Sequence, residues 1–199
     1  MKPDFDKAEK AARLLRVAQP ADNLSLSVLK MKFDLPIIFE TFQNYAKITG
    51  INVDSLIPCS GLKNGYLAKI NDNKIYLVLY DGDCSYGKEH MNWTLAHEVG
   101  HIYLGHKKDE EIEEIEAHWF AAELLAPEII IRKIAQGRQE LGKKVDAYDI
   151  MNLFDLSFEA SNKRIDSLNR KRSWLTYLGG ELTSKYEKQI SHFILKGYI

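Results

Sequence analysis

His97 and His101 stand four residues apart with Glu98 directly after the first, a His-Glu-x-x-His pentapeptide inside the mainly apolar run Trp93 to His106. Helical side chains at that spacing lie one turn above each other on one face, so the two imidazoles can converge on a zinc ion. Glu98 falls one position round the helix, where it reaches a water on the zinc rather than the zinc itself. The chemistry this implies is metal-assisted hydrolysis: Zn2+ polarises a carbonyl and acidifies water, while Glu98 acts as general base and then acid. Leu95, Ala96, Val99 and Ile102 give the helix an apolar surface to bury, and Gly105 suits its end. The pentapeptide also occurs by chance in unrelated proteins, so its context has to decide.

A zinc hydrolase keeps three protein ligands and leaves one position for water, so a third ligand must come from elsewhere. His106 is out of register for the metzincin pattern, whose glycine and histidine positions are held here by Leu104 and Lys107. It reads as a cap or surface residue. The acidic stretch Asp109 to Pro127 is the better source. Asp109 suits an N-cap, the glutamates load the positive end of a helix dipole, and Ile112, Ile115, Trp119 and Ala122 recur at helical spacing. A second helix is therefore expected beside the first, with one glutamate on the metal and Glu110 and Glu111 in solvent.

The paired pattern resembles the core of the ImmA/IrrE family of bacterial and phage metallopeptidases. Trp93, Thr94, Ala96, His97, Glu98, Gly100 and His101 match its first motif; Glu114, Glu116, Ala117, Phe120, Ala121, Leu124, Leu125 and Pro127 match its glutamate-rich helix. The resemblance implies an α+β, mostly helical zincin-like metallopeptidase domain with a small sheet beside the motif helix, and the hairpin read below makes that sheet antiparallel. It further implies Glu98 as the catalytic residue and Glu114 as third zinc ligand with His97 and His101. His118 departs from the family, which has Asn or Asp there. A residue in that place is expected to orient a ligand, although a histidine could itself approach the metal. Glu116 and Glu113 remain fallback ligands, Glu116 also as an orienting residue. The implied substrate is a protein, a transcriptional repressor with a helix-turn-helix domain, cut at one site in a phage, mobile-element or stress-response system. The alternative is a non-catalytic regulator of the same fold that binds protein or DNA. For the oxyanion, Tyr80, Tyr86, His90, His106 and His118 are all candidate donors, and spacing does not choose among them.

The elements that must position this machinery follow from the rest of the chain. Its 199 residues and 45% hydrophobic content suit one domain. We divide it into an N-terminal helical scaffold (1–50), a peptidase core (51–136) and a C-terminal helical segment packed on that core (137–199). A net charge of −1 offers no general attraction to nucleic acid or anionic membrane. Cys59 and Cys84 make no disulfide framework, and no apolar leader or membrane-length run is present, so cytoplasmic residence without membrane association is expected.

Helices are expected at Phe5 to Val17, at Asp22 to Met31, and from Asp34 to Gly50 with Pro36 in the first turn. Two strands, 65–70 and 74–80, flank the turn-forming Asn71-Asp72-Asn73 as a hairpin, and a strand around Tyr76 or Tyr66 is expected to pair with extended substrate. Asp81-Gly82-Asp83 reads as a plain turn. A helix from Glu128 is punctuated by Gly137, and Asp146 to Arg170 has a helix-turn-helix cadence with Ser157 as cap. Lys163, Arg164, Arg170, Lys171 and Arg172 make that segment basic, but the balanced charge elsewhere disfavours direct DNA binding. The apolar tail from Trp174 to Ile199 is expected to dock or to mediate association.

Overall fold

The computed structural model describes residues 2–56, 65–70, 75–82, 87–107, 110–170 and 177–197. Helix α1 (Phe5–Val17) begins where the Asp4 side chain accepts a hydrogen bond from the backbone N–H of Lys7. Its face of Ala8, Ala12 and Leu15 is buried, whereas Leu14 turns out to solvent. Small alanines let α1 lie close against its neighbours, and Lys7 donates to the Leu104 carbonyl at 2.7 Å, at the negative end of α3 (Lys88–Leu104).

The expected helix over 22–31 is a single 3-10 turn, Val28–Lys30. Its backbone is claimed by side chains instead: Asn92 accepts from Val28 N–H at 2.8 Å and donates to Leu26 O at 2.7 Å. Gln19 holds both backbone groups of Lys32 in the same way.

The stretch read as one helix from Asp34 also divides. Ile37–Thr41 is strand β1, and α2 (Phe42–Thr49) starts only at Thr41, whose hydroxyl caps Asn44 N–H at 3.1 Å. Three consecutive β-branched and aromatic residues after Pro36 favour the pleated conformation over the helix. The sheet consequently departs from the antiparallel one expected. Strand β1 runs parallel to β3 (Ile75–Tyr80), with Phe39 opposite Val78, while β2 (Gly65–Ile70) lies antiparallel on the other side of β3. A parallel neighbour needs a crossover, which the chain from α2 through β2 supplies. Tyr76 is on the central strand, with both edges paired, so it cannot receive a substrate strand. The turn 71–73 lies outside the described residues, as do Cys59, Cys84 and Asp83.

After α3 come α4 (Glu111–Leu125) and α5 (Glu128–Glu140). Gly137 does not end α5 but sits within it, and a Cβ there would lie 2.6 Å from Ile194 Cδ1. It is the contact point for α9 (Glu187–Lys196). Between them come α6 (Ala147–Phe154), α7 (Phe158–Arg170) and α8 (Tyr177–Lys185). Asp146 and Asp149 close a reciprocal capping box at the start of α6, and Ser157 Oγ accepts from Ala160 N–H at 3.2 Å ahead of α7.

The result is a mostly helical α+β protein with one main core. That core takes Ala8 and Ala12 from α1, Val78 from β3, Leu95 and Val99 from α3, Phe120 and Leu124 from α4, and Ile190 and Phe193 from α9. All three stretches delimited in the sequence contribute to it, and the C-terminal tail docks through Tyr186, Ile190 and Phe193. Arg164 is not on a basic face: its guanidinium is buried and pairs with Glu123 of α4. Lys163 pairs with Glu159 at 2.6 Å, and Lys171, Arg172 and Trp174 lie outside the described residues. No described helix is long and apolar enough to cross a membrane.

Candidate metal centre

Helices α3 and α4 approach closely because position 100 has no side chain. A Cβ on Gly100 would stand 3.1 Å from Phe120 Cδ1 and 3.2 Å from the Ala117 carbonyl oxygen. Gly100→Ala is expected to push the helices apart by a few tenths of an ångström and to destabilise the fold by about 1–3 kcal/mol, measurable by urea unfolding. The buried face of α4 includes Glu116, Ala117, Phe120, Ala121 and Leu124 rather than the expected Ile112, Ile115, Trp119 and Ala122 stripe; Ile115 is exposed. The rotation follows from two glutamates, Glu116 and Glu123, that are buried because they have partners. Asp109 lies outside the described residues, and the N-cap of α4 is Glu110.

This packing brings His97, His101 and Glu114 together. The two Nε2 atoms are 3.0 Å apart; Glu114 Oε2 is 3.3 Å from His97 Nε2, and Oε1 is 3.6 Å from His101 Nε2. A tetrahedral ion with arms of 2.0–2.1 Å separates its ligand atoms by about 3.3 Å, so the three spacings bracket that of a zinc site. Two imidazoles and a carboxylate are also a donor set that zinc accepts. His97 and His101 are buried, while Glu114 remains about one-third exposed, at 31% of its side chain, so the cluster opens to solvent on the α4 side. Glu98 is half-buried on α3.

His118 lies against His97, with ring centroids 4.3 Å apart, and His97, Glu114 and His118 each offer a ligand atom within 4.8 Å of the others. Desolvation at that contact, followed by the neighbouring His97, pushes the His118 pKa down to about 4, although its outer edge is open to solvent. His118 is therefore neutral at pH 7. His97 Nδ1 is buried without a hydrogen-bond partner among the described residues, so that side of the ring is held by packing. Glu113 turns away from the cluster and accepts from Lys107 N–H at 3.4 Å.

His106 is neither a surface residue nor a simple cap. It is buried, with Nδ1 3.0 Å from His101 Nδ1 and Nε2 3.0 Å from Glu116 Oε2. The cause is the helix end. Gly105 adopts φ 73°, its N–H bonds Ile102 O at 3.1 Å, and His106 N–H bonds His101 O at 3.0 Å. That left-handed cap folds the second residue beyond the helix back onto the residue three positions inside it, here His106 onto His101. The glycine is the sequence signal for this contact, since its cap geometry implies it whether or not His106 fits a ligand register.

Among the candidate oxyanion donors, Tyr80 has its phenol pKa raised by burial and then by Glu40, so it keeps its proton at neutral pH. Tyr86 lies outside the described residues. His90 is in the first turn of α3, close enough to Glu159 of α7 to favour that carboxylate's charge, after the larger effect of Lys163.

Comparison with known proteins places residues 85–166 in the family model of the IrrE N-terminal-like domain, a peptidase family. The matched span begins just before α3 and ends within α7, so it includes every residue of the cluster. Neither the curated proteins nor the solved structures contain a match.

Proposed function

We propose that this chain, whose residues 85–166 carry an IrrE N-terminal-like peptidase domain, is a zinc-dependent metallo-endopeptidase with His97, His101 and Glu114 as the metal ligands. The observation that carries the reading is the 3.0–3.6 Å convergence of two imidazole nitrogens and a carboxylate on one open-sided cluster. Zinc, when bound, supplies Lewis acidity and makes water nucleophilic near neutral pH. Glu98 takes the proton of the attacking water and returns it to the leaving amine. His118, neutral and beside His97, is the candidate that can donate a hydrogen bond to the developing oxyanion without adding charge.

Substrate is proposed to bind in extended form along β2. Of the two strands suspected from the sequence, β3 has both edges occupied, whereas β2 is at the sheet edge among the described residues and runs beside α3. The resemblance to ImmA/IrrE proteins supports a transcriptional repressor as the protein cleaved, with action in the cytoplasm. Arg164, buried against Glu123, is unavailable to a DNA backbone, which weakens a DNA-binding role for α7.

Zinc content by mass spectrometry tests the ligand set. Wild type is expected to hold about one zinc per chain, and His97→Ala, His101→Ala and Glu114→Ala to hold almost none. A wild-type protein that neither purifies with zinc nor takes it up would overturn the reading.

A further inference from the structure

We infer that Glu116 and His106 are positioning residues, a proton-ordered relay that sets the tautomer of His101; the role rests on the zinc reading above. The order of protons follows from one end. Glu116 can only accept: Oε1 takes the Asp4 backbone N–H at 2.7 Å, and Oε2 faces His106 Nε2 at 3.0 Å. His106 must therefore carry its proton on Nε2. A ring with one proton then has its lone pair at Nδ1, which lies 3.0 Å from His101 Nδ1, so His101 donates there. The remaining lone pair of His101 is left on Nε2, the atom that faces His97 Nε2 and Glu114. A metal needs that lone pair.

The relay is enclosed: His101, His106 and Glu116 are 5%, 8% and 8% exposed, so water competes little for these bonds. Its anchor is a backbone group contributed from just ahead of α1, which no side-chain change on α4 removes. That anchor makes the two substitutions of Glu116 inequivalent. In Glu116→Gln the Asp4 N–H holds the amide oxygen, which turns the NH2 towards His106 Nε2. His106 must then accept at Nε2 and donate from Nδ1, and His101 is driven to carry its proton on Nε2. Glu116→Ala, a far larger change of shape, only removes the bias.

The relay is tested by titrating the full-length chain with zinc, and separately with cobalt, against a chelator of known affinity. Tautomers of His101 and His106 in the metal-free protein are read by nitrogen-15 chemical shifts. Wild type is expected to show His101 protonated on Nδ1. Glu116→Gln is expected to weaken metal binding by about 10–100-fold, more than Glu116→Ala does, and to move the His101 proton to Nε2. Adding Glu116→Gln to His106→Ala is expected to have no further effect, because the connection is already cut. A merely structural Glu116 predicts the reverse order, the near-isosteric glutamine being milder than alanine; that result, or an Nε2 proton on His101 in wild type, overturns the relay. If wild type shows the expected tautomer but binds neither metal, the zinc reading fails, and with it the relay's role in binding.

Discussion

Glu98→Gln is expected to abolish peptide hydrolysis while leaving zinc content at the wild-type level. The amide keeps the size of the carboxylate but cannot accept a proton, so in the proposed mechanism the attacking water loses its base and the leaving amine its acid. Removing a positioned acid–base group costs on the order of 10²–10⁴-fold in rate. The proposed ligand atoms are all on other side chains, His97, His101 and Glu114, whose 3.0–3.6 Å spacings do not involve Glu98. Metal affinity and hydrolysis should therefore separate in this variant, unlike in His97→Ala, where they fall together. A proteome-derived peptide library read by mass spectrometry gives the rate whatever sequence is cut. Glu98→Gln that cuts as fast as wild type would exclude Glu98 as the base. A biological effect that survives Glu98→Gln while cutting is lost would favour the non-catalytic regulator.

Glu123→Ala is expected to be the most destabilising single change of a charged residue in the fold. The Glu123 side chain is fully buried, with Arg13 of α1 at 3.4 Å, Arg164 of α7 on its other oxygen, and the Glu128 N–H at 3.4 Å. Both arginine side chains are 3% exposed; Arg13 also meets Glu9 at 2.8 Å, and Arg164 donates to the Ala126 carbonyl at 2.9 Å. Loss of the shared carboxylate leaves buried positive charge that water cannot reach. Breaking a buried pair in this way costs about 3–5 kcal/mol. For a chain of this length that corresponds to a fall in Tm on the order of 10 °C. Urea unfolding followed by circular dichroism measures the difference directly. A loss below about 1 kcal/mol, the range of exposed pairs, would mean that the arginines find other partners and that Glu123 is not the hub joining α1, α4 and α7.

The glutamates of α4 divide by tertiary contact, not by spacing. Glu110 and Glu111 are exposed, Glu113 reaches back to the turn, Glu114 faces the two histidines, Glu116 meets His106 behind His101, and Glu123 binds arginines. A helical reading that scores glutamate as polar has to turn this face outward, which is why periodicity puts Ile115 inside although it is exposed. Position 118 illustrates the same point: its sequence offset from Glu114 leaves open whether the ring meets the proposed metal ligands, and the 4.3 Å contact with His97 comes from the α3–α4 packing.

Local rules carry the sequence furthest where one element decides its own geometry. The four-residue spacing of His97 and His101, the end of α3 at Gly105 and the span of α1 all follow from helical periodicity and capping, which involve neighbours only a turn away. Tertiary structure decides whatever depends on partners distant in the chain. Ile37–Thr41 is a strand because β3 is there to pair with it in parallel, over a pattern that the preceding proline makes look helical. Glu116 enters the interior because His106 and the Asp4 N–H, 112 residues away from it in sequence, satisfy both its oxygens. Burial of a charge is stabilised only by the groups that meet it, and no periodicity along the chain encodes which groups those will be.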